Sequence, residues 1–330
     1  MFEIGKLTTL EEKKQLAQSE NTSRDILDLL SKENREVRQL VAGNPNTPIE
    51  VLEKLGIEFA DEIVNNPVFD LLLLENSDNR CLKMCLATSS ITSIEVLERL
   101  SRDRHSNIRC QVAKNNETTG DILYRLGEDK DYYVLHSVIE NWNTTENTLR
   151  KLINSVLSNY FTGKILKHPN SSLDILLAAA EHPASNPRIA VSKCRKTPVR
   201  LLIKLSSDNV AYVRRGVAEN HKTPAETLTK LSNDNALSVI RAVARNPKTP
   251  ESLLSELANH SNKSIRKAVA YNYKTPVSTL IQLAEDSEPS VRAEAAKNCE
   301  TPLYILDKLK EDSNKYVKIS ANNNISNCLD

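Results

Sequence analysis

The sequence predicts an all-α protein, an α-solenoid of about twelve two-helix repeats of ~26 residues each. The first observation is a recurring phrase, Asn-Pro-x-Thr-Pro followed by two leucines, as at 246–257. The second is its spacing, because the Thr or Ser of the phrase returns every 26 residues, with one step of 27, from 92 to 301. The third is composition, since the 7 Gly among 330 residues are too few and too scattered for a phosphate-binding glycine loop.

The first helix of each repeat follows the Thr-Pro pair. Thr at the N-cap and Pro at the first helical position both favour a helix start. Leucines five and eight residues after the Thr fall on one helix face, which predicts the core. The clearest pairs are Leu202/Leu205, Leu228/Leu231, Leu254/Leu257, Leu280/Leu283 and Leu306/Leu309. The 45 residues between Thr47 and Thr92 hold two shortened repeats, the second marked by Asn66-Pro67 and Leu74.

The second helix carries the phrase V-R-x-x-V-A, with apolar residues at i and i+4. A small residue between them lets the neighbouring helix approach closely, as at Ala190, Gly216, Ala242 and Ala268. Asn then ends the helix, because Asn tolerates a left-handed turn. A last partial repeat is marked by Asn323. Two helices this short cannot bury their own apolar faces, so the repeats are expected to stack into one continuous core.

The combined phrase A-x-N-P-x-T-P, L-x-x-L, D, V-R-x-x-V-A resembles the leucine-rich repeat variant family, a bacterial α-solenoid similar in shape to HEAT repeats. The match spans about 22–326 and is strongest over 187–302. The resemblance implies two layers of short helices in a right-handed superhelix and implies little about activity. Some members bind an iron–sulfur cluster through N-terminal cysteines, but the first cysteine here is Cys81.

One repeat domain is therefore expected over 1–330, with a capping helix region at 1–21, repeats over 22–326 and a tail at 327–330. No apolar run reaches the ~18 residues of a membrane span, and the start does not resemble a secretory signal. The six cysteines lack C-x-x-C spacing, which favours reduced thiols in a cytoplasmic protein. Cys81, Cys85 and Cys110 are spaced to stack, yet buried thiols are favoured over a metal site.

An arginine column runs through the second helices, at Arg38, Arg109, Arg188, Arg214, Arg266 and Arg292. An Asp stands six residues before three of them, at Asp103, Asp208 and Asp286. This spacing is similar to the Asp–Arg ladder of HEAT repeats, in which each Arg bonds an Asp of its own or the next repeat. The ladder is favoured over a column of free anion-binding sites.

An asparagine column stands at the turns between repeats. An amide at every such turn predicts a ladder of hydrogen bonds to neighbouring backbone groups rather than a ligand site. Its members are Asn44, Asn66, Asn115, Asn141, Asn220, Asn246, Asn272, Asn298 and Asn323.

Charge is unevenly distributed along a chain whose formal net charge is only +1. Residues 187–298 contain 19 Lys and Arg against 10 Asp and Glu, a net of +9, so the remainder has a net of −8. The cations expected to point away from the core include Arg215, Arg241, Arg245, Lys267 and Lys297, with Tyr271 and Tyr273 nearby. They indicate either a surface for an acidic partner or a solvated face.

Aromatic residues replace the arginines over 124–168. Leu135 and Thr162 stand where Arg is expected, and the single Trp142 occupies the turn position of the usual Pro. Two interpretations stay open, interface anchors or aromatics that fill a bend in the superhelix. The residues concerned are Tyr124, Tyr132, Tyr133, His136, Trp142, Tyr160, Phe161 and His168.

Catalysis finds little support, because the six His lack metal-site spacing and most lie in turns. The sequence favours a non-catalytic scaffold that binds a protein or peptide, without membrane, cofactor or small-molecule substrate. The alternative is nucleic-acid binding through the basic stretch 187–298. An enzyme or an accessory factor for one is the third possibility.

Overall fold

The computed structural model describes residues 9–155 and 158–327, which form helices and no strand. In this part of the chain α1 (Leu10–Gln18) precedes twelve helix pairs. The first helices of the pairs are α2 (Arg24–Leu30), α4 (Ile49–Leu55), α6 (Phe69–Glu75), α8 (Ile94–Leu100), α10 (Gly120–Leu126), α12 (Glu146–Ile153), α14 (Leu173–Ala180), α16 (Val199–Leu205), α18 (Ala225–Leu231), α20 (Glu251–Leu257), α22 (Val277–Leu283) and α24 (Leu303–Lys310). The second helices are α3 (Arg35–Gly43), α5 (Ala60–Val64), α7 (Arg80–Thr88), α9 (Ser106–Lys114), α11 (Tyr132–Glu140), α13 (Ser158–Lys167), α15 (Ser185–Lys193), α17 (Ala211–Glu219), α19 (Leu237–Arg245), α21 (Lys263–Tyr271), α23 (Pro289–Lys297) and α25 (Lys315–Asn327). The predicted all-α repeat fold is confirmed, including two shortened repeats between Thr47 and Thr92.

The helices group into two compact units. Unit 1 comprises 1–152 with 168–171, and unit 2 comprises 153–167 with 172–330. The single domain over 1–330 stays a prediction, and parts of its 1–21 cap and 327–330 tail lie outside the described residues.

Within each unit the two kinds of helix form two layers. Consecutive second helices pack along one another, as α7, α9 and α11 do in unit 1 and α15 to α25 do in unit 2. First helices pack mainly on the second helices of their own and the preceding repeat. Because the second helices pack more closely, their exposed positions form the inner face of each unit.

The repeat leucines form the core between the layers. Leu202, Leu228, Leu254 and Leu280 are fully buried, as their spacing predicted. Leu74 is an exception, since 82% of it is exposed. Helix α6 instead buries Phe69, its first residue.

The repeat threonine does not cap the helix that follows it, contrary to the sequence prediction. The N-cap of α16 is Pro198, in extended conformation, and the helix begins one residue later. The hydroxyl of Thr197 instead donates to the carbonyl of Val191 in the preceding second helix, at 2.6 Å. The same bond recurs in other repeats, for example from Thr223 to Val217. The threonine therefore satisfies a helix C-terminus, whose last carbonyls lack intrahelical donors.

The asparagine column forms a buried chain of hydrogen bonds. The amide of Asn246 donates to the carbonyls of Ala218 and Asn220 in the preceding repeat, at 2.6 and 3.2 Å. Its side-chain oxygen accepts from the backbone N–H of Lys248 at 2.9 Å. Equivalent bonds are made by Asn44, Asn66, Asn115, Asn141, Asn220, Asn272, Asn298 and Asn324.

Two details of the asparagine prediction are wrong. Asn246 ends α19 in extended conformation, with φ −71° and ψ 130°, and no described non-glycine residue has a positive φ. The extended backbone directs the Asn246 side chain towards the preceding repeat, where its amide bonds the carbonyls of Ala218 and Asn220. At the last repeat the ladder position is Asn324, which is buried, rather than Asn323, which is exposed.

Cysteine chemistry differs in part from the prediction. Cys81, Cys85, Cys110 and Cys194 are free thiols, but Cys299 is disulfide-bonded, so the expectation of six reduced thiols is wrong. Burial raises the pKa of the Cys85 thiol to about 12, which leaves it protonated at neutral pH.

None of the helices in the described ranges has the length and apolar character needed to cross a membrane.

Gly216 gives a sharp test of the packing between second helices. A Cβ at this position would collide with the hydroxyl of Ser192 on α15 and lie 3.0 Å from its Cβ. We expect Gly216→Ala to lower the free energy of unfolding by about 1–3 kcal/mol, because overpacking forces a helix shift. Adding Ser192→Ala should restore most of this loss. The positions equivalent to Ser192 and Gly216 in the next repeats are Ala218 and Ala242, so two alanines fit at this contact. Urea denaturation of the two single variants and the double variant checks this, and a double variant no more stable than Gly216→Ala would contradict it.

Candidate binding surfaces

The arginine column is engaged in salt bridges between repeats. Arg214 donates from Nε to Oδ2 of Asp234 at 2.6 Å and from Nη2 to Oδ1 at 2.9 Å. Its Nη1 donates to the main-chain carbonyl of Asp208 at 2.7 Å. The next repeat thus supplies the carboxylate, while the aspartate six residues before the arginine supplies a carbonyl.

The same bidentate geometry recurs along the chain, with Nε–Oδ2 distances of 2.6 to 2.7 Å. The pairs are Arg109–Asp129, Arg188–Asp208, Arg214–Asp234, Arg266–Asp286 and Arg292–Asp312. In each pair the arginine side chain is at most 19% exposed. These guanidinium groups already hold a carboxylate, so they are poorly placed to bind a free anion.

The two residues of each pair are 20 positions apart, a register that the six-residue spacing did not predict. Lys83 bonds Asp103 and Arg38 bonds Glu58 with the same spacing. In three repeats an uncharged residue replaces the cation, and the residue 20 positions later is then not a carboxylate either. These pairs are Leu135 and Ser155, Thr162 and His182, and Ile240 and His260. Comparison of positions 20 residues apart would have revealed the register from the sequence.

Electrostatics keep the ladder ionised. The hydrogen bonds from Arg214 hold the pKa of the Asp234 carboxyl below its usual range, and this outweighs the opposing effect of burial. For Asp208, burial raises the pKa, but the bonds from Arg188 and the Val210 N–H outweigh it. Both carboxylates therefore remain charged at neutral pH.

The aromatic surface of unit 1 comprises Tyr132, Tyr133, His136 and Trp142. Tyr132 and Tyr133 begin α11, and their rings meet edge to face with centroids 5.6 Å apart. His136 follows one turn later, 6.2 Å from the Tyr132 ring. Trp142 lies in the turn after α11 and is 75% exposed, while Tyr133 is 71% exposed.

Other aromatic residues and histidines of the 124–168 segment are buried or contact a neighbouring cation. Phe161 is buried in the core of unit 2. His168 is buried at an asparagine-ladder position, with Nε2 3.1 Å from the carbonyl of Asn141. Tyr124 lies on α10, where the ammonium of Lys151 is 3.8 Å from its ring centroid. Packing thus accounts for Phe161 and His168, whereas Tyr133 and Trp142 are too exposed to fill a bend.

The predicted basic surface divides into two groups within unit 2. Arg215, Arg241, Arg245 and Tyr271 line one concavity of about 270 Å³ on the inner face of α17, α19 and α21. Lys267 and Lys297 line a different depression farther along the unit. There the ammonium groups lie 3.5 and 4.0 Å from the carboxylate of Glu294, which offsets their charge.

The described residues contain no group of three or more His, Cys, Asp or Glu side chains arranged to hold a metal ion. The exposed side chains described above present aromatic rings in unit 1 and guanidinium groups in unit 2.

No protein-family model matches the sequence, and no curated protein matches it. Among solved structures, the chain is similar to one described as a leucine-rich repeat variant with a novel repetitive protein structural motif, with 18% identity, 78% of this chain and 95% of that chain covered, and a TM-score of 0.44. It is also similar to a designed armadillo repeat protein in complex with the peptide (KR)4, with 14% identity, coverage of 79% and 99%, and a TM-score of 0.19.

Proposed function

We propose that the protein is a non-catalytic scaffold that binds a partner protein, and that the aromatic surface of unit 1 anchors this partner. The observation that carries the proposal is the exposure of Trp142 and Tyr133 on one second helix and its following turn. Large aromatic side chains lose little entropy when they are fixed and dominate the energetics of many interfaces. A solvent-exposed Trp contributes nothing comparable to the stability of the repeat itself.

Affinity capture with the full chain as bait tests this proposal. Partner recovery should fall at least 10-fold with Trp142→Ala or Tyr133→Ala, because truncation of an anchor removes most of its contact area. Tyr304→Ala on α24 is the matched control, since Tyr304 is 64% exposed on a first helix. Nuclease treatment should leave recovery unchanged. Equal recovery by all three variants and the wild type would contradict the aromatic surface as the anchor.

Nucleic-acid binding is the second candidate, supported by the net charge of +9 over residues 187–298. The pairing of Arg215 with Glu219, at 2.6 Å, and of Lys267 with Glu294 counts against it, because a phosphate track needs successive unpaired cations. Duplex DNA binding at two salt concentrations distinguishes the candidates. A submicromolar affinity near physiological salt, falling by about 0.9 log unit per log unit of salt for each phosphate contacted, would favour nucleic acid.

A further inference from the structure

The inner face of unit 2 contains a small cationic depression, here called the arginine cleft. Its cations are Arg215 on α17 and Arg241 and Arg245 on α19, and Tyr271 on α21 forms one wall. Arg241 and Arg245 are four residues apart, so they are neighbours on one helix face. Arg215 occupies the same position in its repeat as Arg241 does in the next, which places the two side by side on packed helices.

The charges of the arginine cleft do not cancel. Glu219 is the carboxylate in its lining, and it accepts from Nε of Arg215 at 2.6 Å. Among the residues that the structure describes, no carboxylate lies within 4 Å of the guanidinium of Arg241 or Arg245. The three guanidinium groups and one carboxylate of the lining have a summed formal charge of +2, which matches a doubly negative group.

Two side-chain contacts orient Arg215 and Arg245 in the cleft. Oε1 of Glu219 accepts from Nε of Arg215, and Nζ of Lys193 lies 3.5 Å from Oε2. Glu219 therefore leaves the two Nη groups of Arg215 available to face the cleft. The guanidinium of Arg245 stacks on the Tyr271 ring, 4.6 Å from its centroid. A guanidinium fixed in this way loses less entropy when it binds, and its planar fork suits oxygens arranged as in phosphate.

The size and isolation of the arginine cleft define the ligand. Its volume of about 270 Å³ is smaller than the sites that take drug-sized ligands, so it fits one charged side-chain group. The position that Arg215 and Arg241 occupy is not cationic throughout the unit. The equivalent residue is Ile189 in the repeat before Arg215 and Ala293 two repeats after Arg241. Lys267, in the repeat between, is beside Glu294. A single dianion therefore fits better than a polyanion that follows the helices.

We propose that the arginine cleft binds the phosphate monoester of a phosphorylated side chain in a partner protein. A phosphoserine or phosphothreonine has about two negative charges at neutral pH and three acceptor oxygens, enough to engage Arg215, Arg241 and Arg245 together. A glutamate side chain offers one charge and two oxygens, so it leaves one guanidinium without an acceptor. The inference extends the proposed protein-binding function, and because the cleft lies in unit 2 it does not depend on Trp142.

Calorimetric titration of the full chain with three short peptides tests the inference. The peptides are identical except for one central residue, which is phosphoserine, glutamate or serine. The phosphoserine peptide should bind at least 10-fold more tightly than the glutamate peptide, and the serine peptide should not bind measurably. Arg241→Ala and Arg245→Ala should each weaken phosphopeptide binding at least 10-fold. Alanine suits the helix position of Arg241, since Ala293 occupies the equivalent position two repeats later.

Arg200→Gln is the matched control, because Arg200 is exposed on the first helix α16, away from the inner face. It should leave phosphopeptide affinity unchanged. Equal affinity for the phosphoserine and glutamate peptides, or equal losses in Arg241→Ala and Arg200→Gln, would overturn the inference. Tighter binding of a single-stranded oligonucleotide than of the phosphopeptide, lost in Arg241→Ala, would overturn it too by assigning the cleft to nucleic acid. Trp142→Ala should leave phosphopeptide binding intact, so this proposal and the aromatic anchor can fail separately.

Discussion

Replacement of Leu254 by alanine is expected to lower the free energy of unfolding by about 2–5 kcal/mol. Leu254 is fully buried between α20 and the second-helix layer. Its truncation removes the transfer free energy of the side chain and leaves a cavity that short helices, held by ladders on both sides, cannot fully close. Urea denaturation followed by circular dichroism measures the loss.

Leu303→Ala is the matched control for this prediction, because Leu303 is 67% exposed although it also lies on a first helix. Its effect should stay within about 0.5 kcal/mol, as for other surface substitutions. Equal unfolding curves for Leu254→Ala and the wild type would remove Leu254 from the core.

Local periodicity explains why the fold was predictable. The leucines five and eight residues after each threonine lie within one helix, so a 3.6-residue period is enough to place them on its buried face. The repetition of one phrase then implies stacking, because like faces recur at every repeat. The helix ends were less predictable, since the hydroxyl of Thr197 can bond either the helix before it or the helix after it.

The side-chain pairs were harder to derive because they cross repeats. Asp208 bonds Arg214 through its main-chain carbonyl and Arg188 through its carboxylate. A spacing of six residues within one repeat does not reveal that division. The arginine cleft could not be predicted for a related reason. Arg241 and Lys267 occupy equivalent positions in the sequence, and only the fold shows that Lys267 lies beside Glu294 whereas Arg241 has no carboxylate neighbour among the described residues.

Arg214→Ala is expected to lower the free energy of unfolding by about 2–3 kcal/mol, and Asp234→Ala by a similar amount. Either change leaves the remaining partner charged in a site where the two side chains are only 14% and 6% exposed. The loss is smaller than the 3–5 kcal/mol of a fully buried pair because water still reaches Arg214. The double variant removes both charges, so a double-mutant cycle should give a coupling energy of about 1–3 kcal/mol.

A second cycle with Asp208→Ala is the control that identifies the register of the ladder. The carboxylate of Asp208 belongs to Arg188, whereas its contribution to Arg214 is a carbonyl that alanine retains. The coupling energy between Arg214→Ala and Asp208→Ala should therefore be smaller than that between Arg214→Ala and Asp234→Ala. Because each repeat contacts only its neighbours, hydrogen exchange should accelerate around α17 and α19 in Arg214→Ala and less in distant repeats. Strict additivity of Arg214→Ala with Asp234→Ala would show that the arginine column faces solvent, and would make these arginines available to bind an anion.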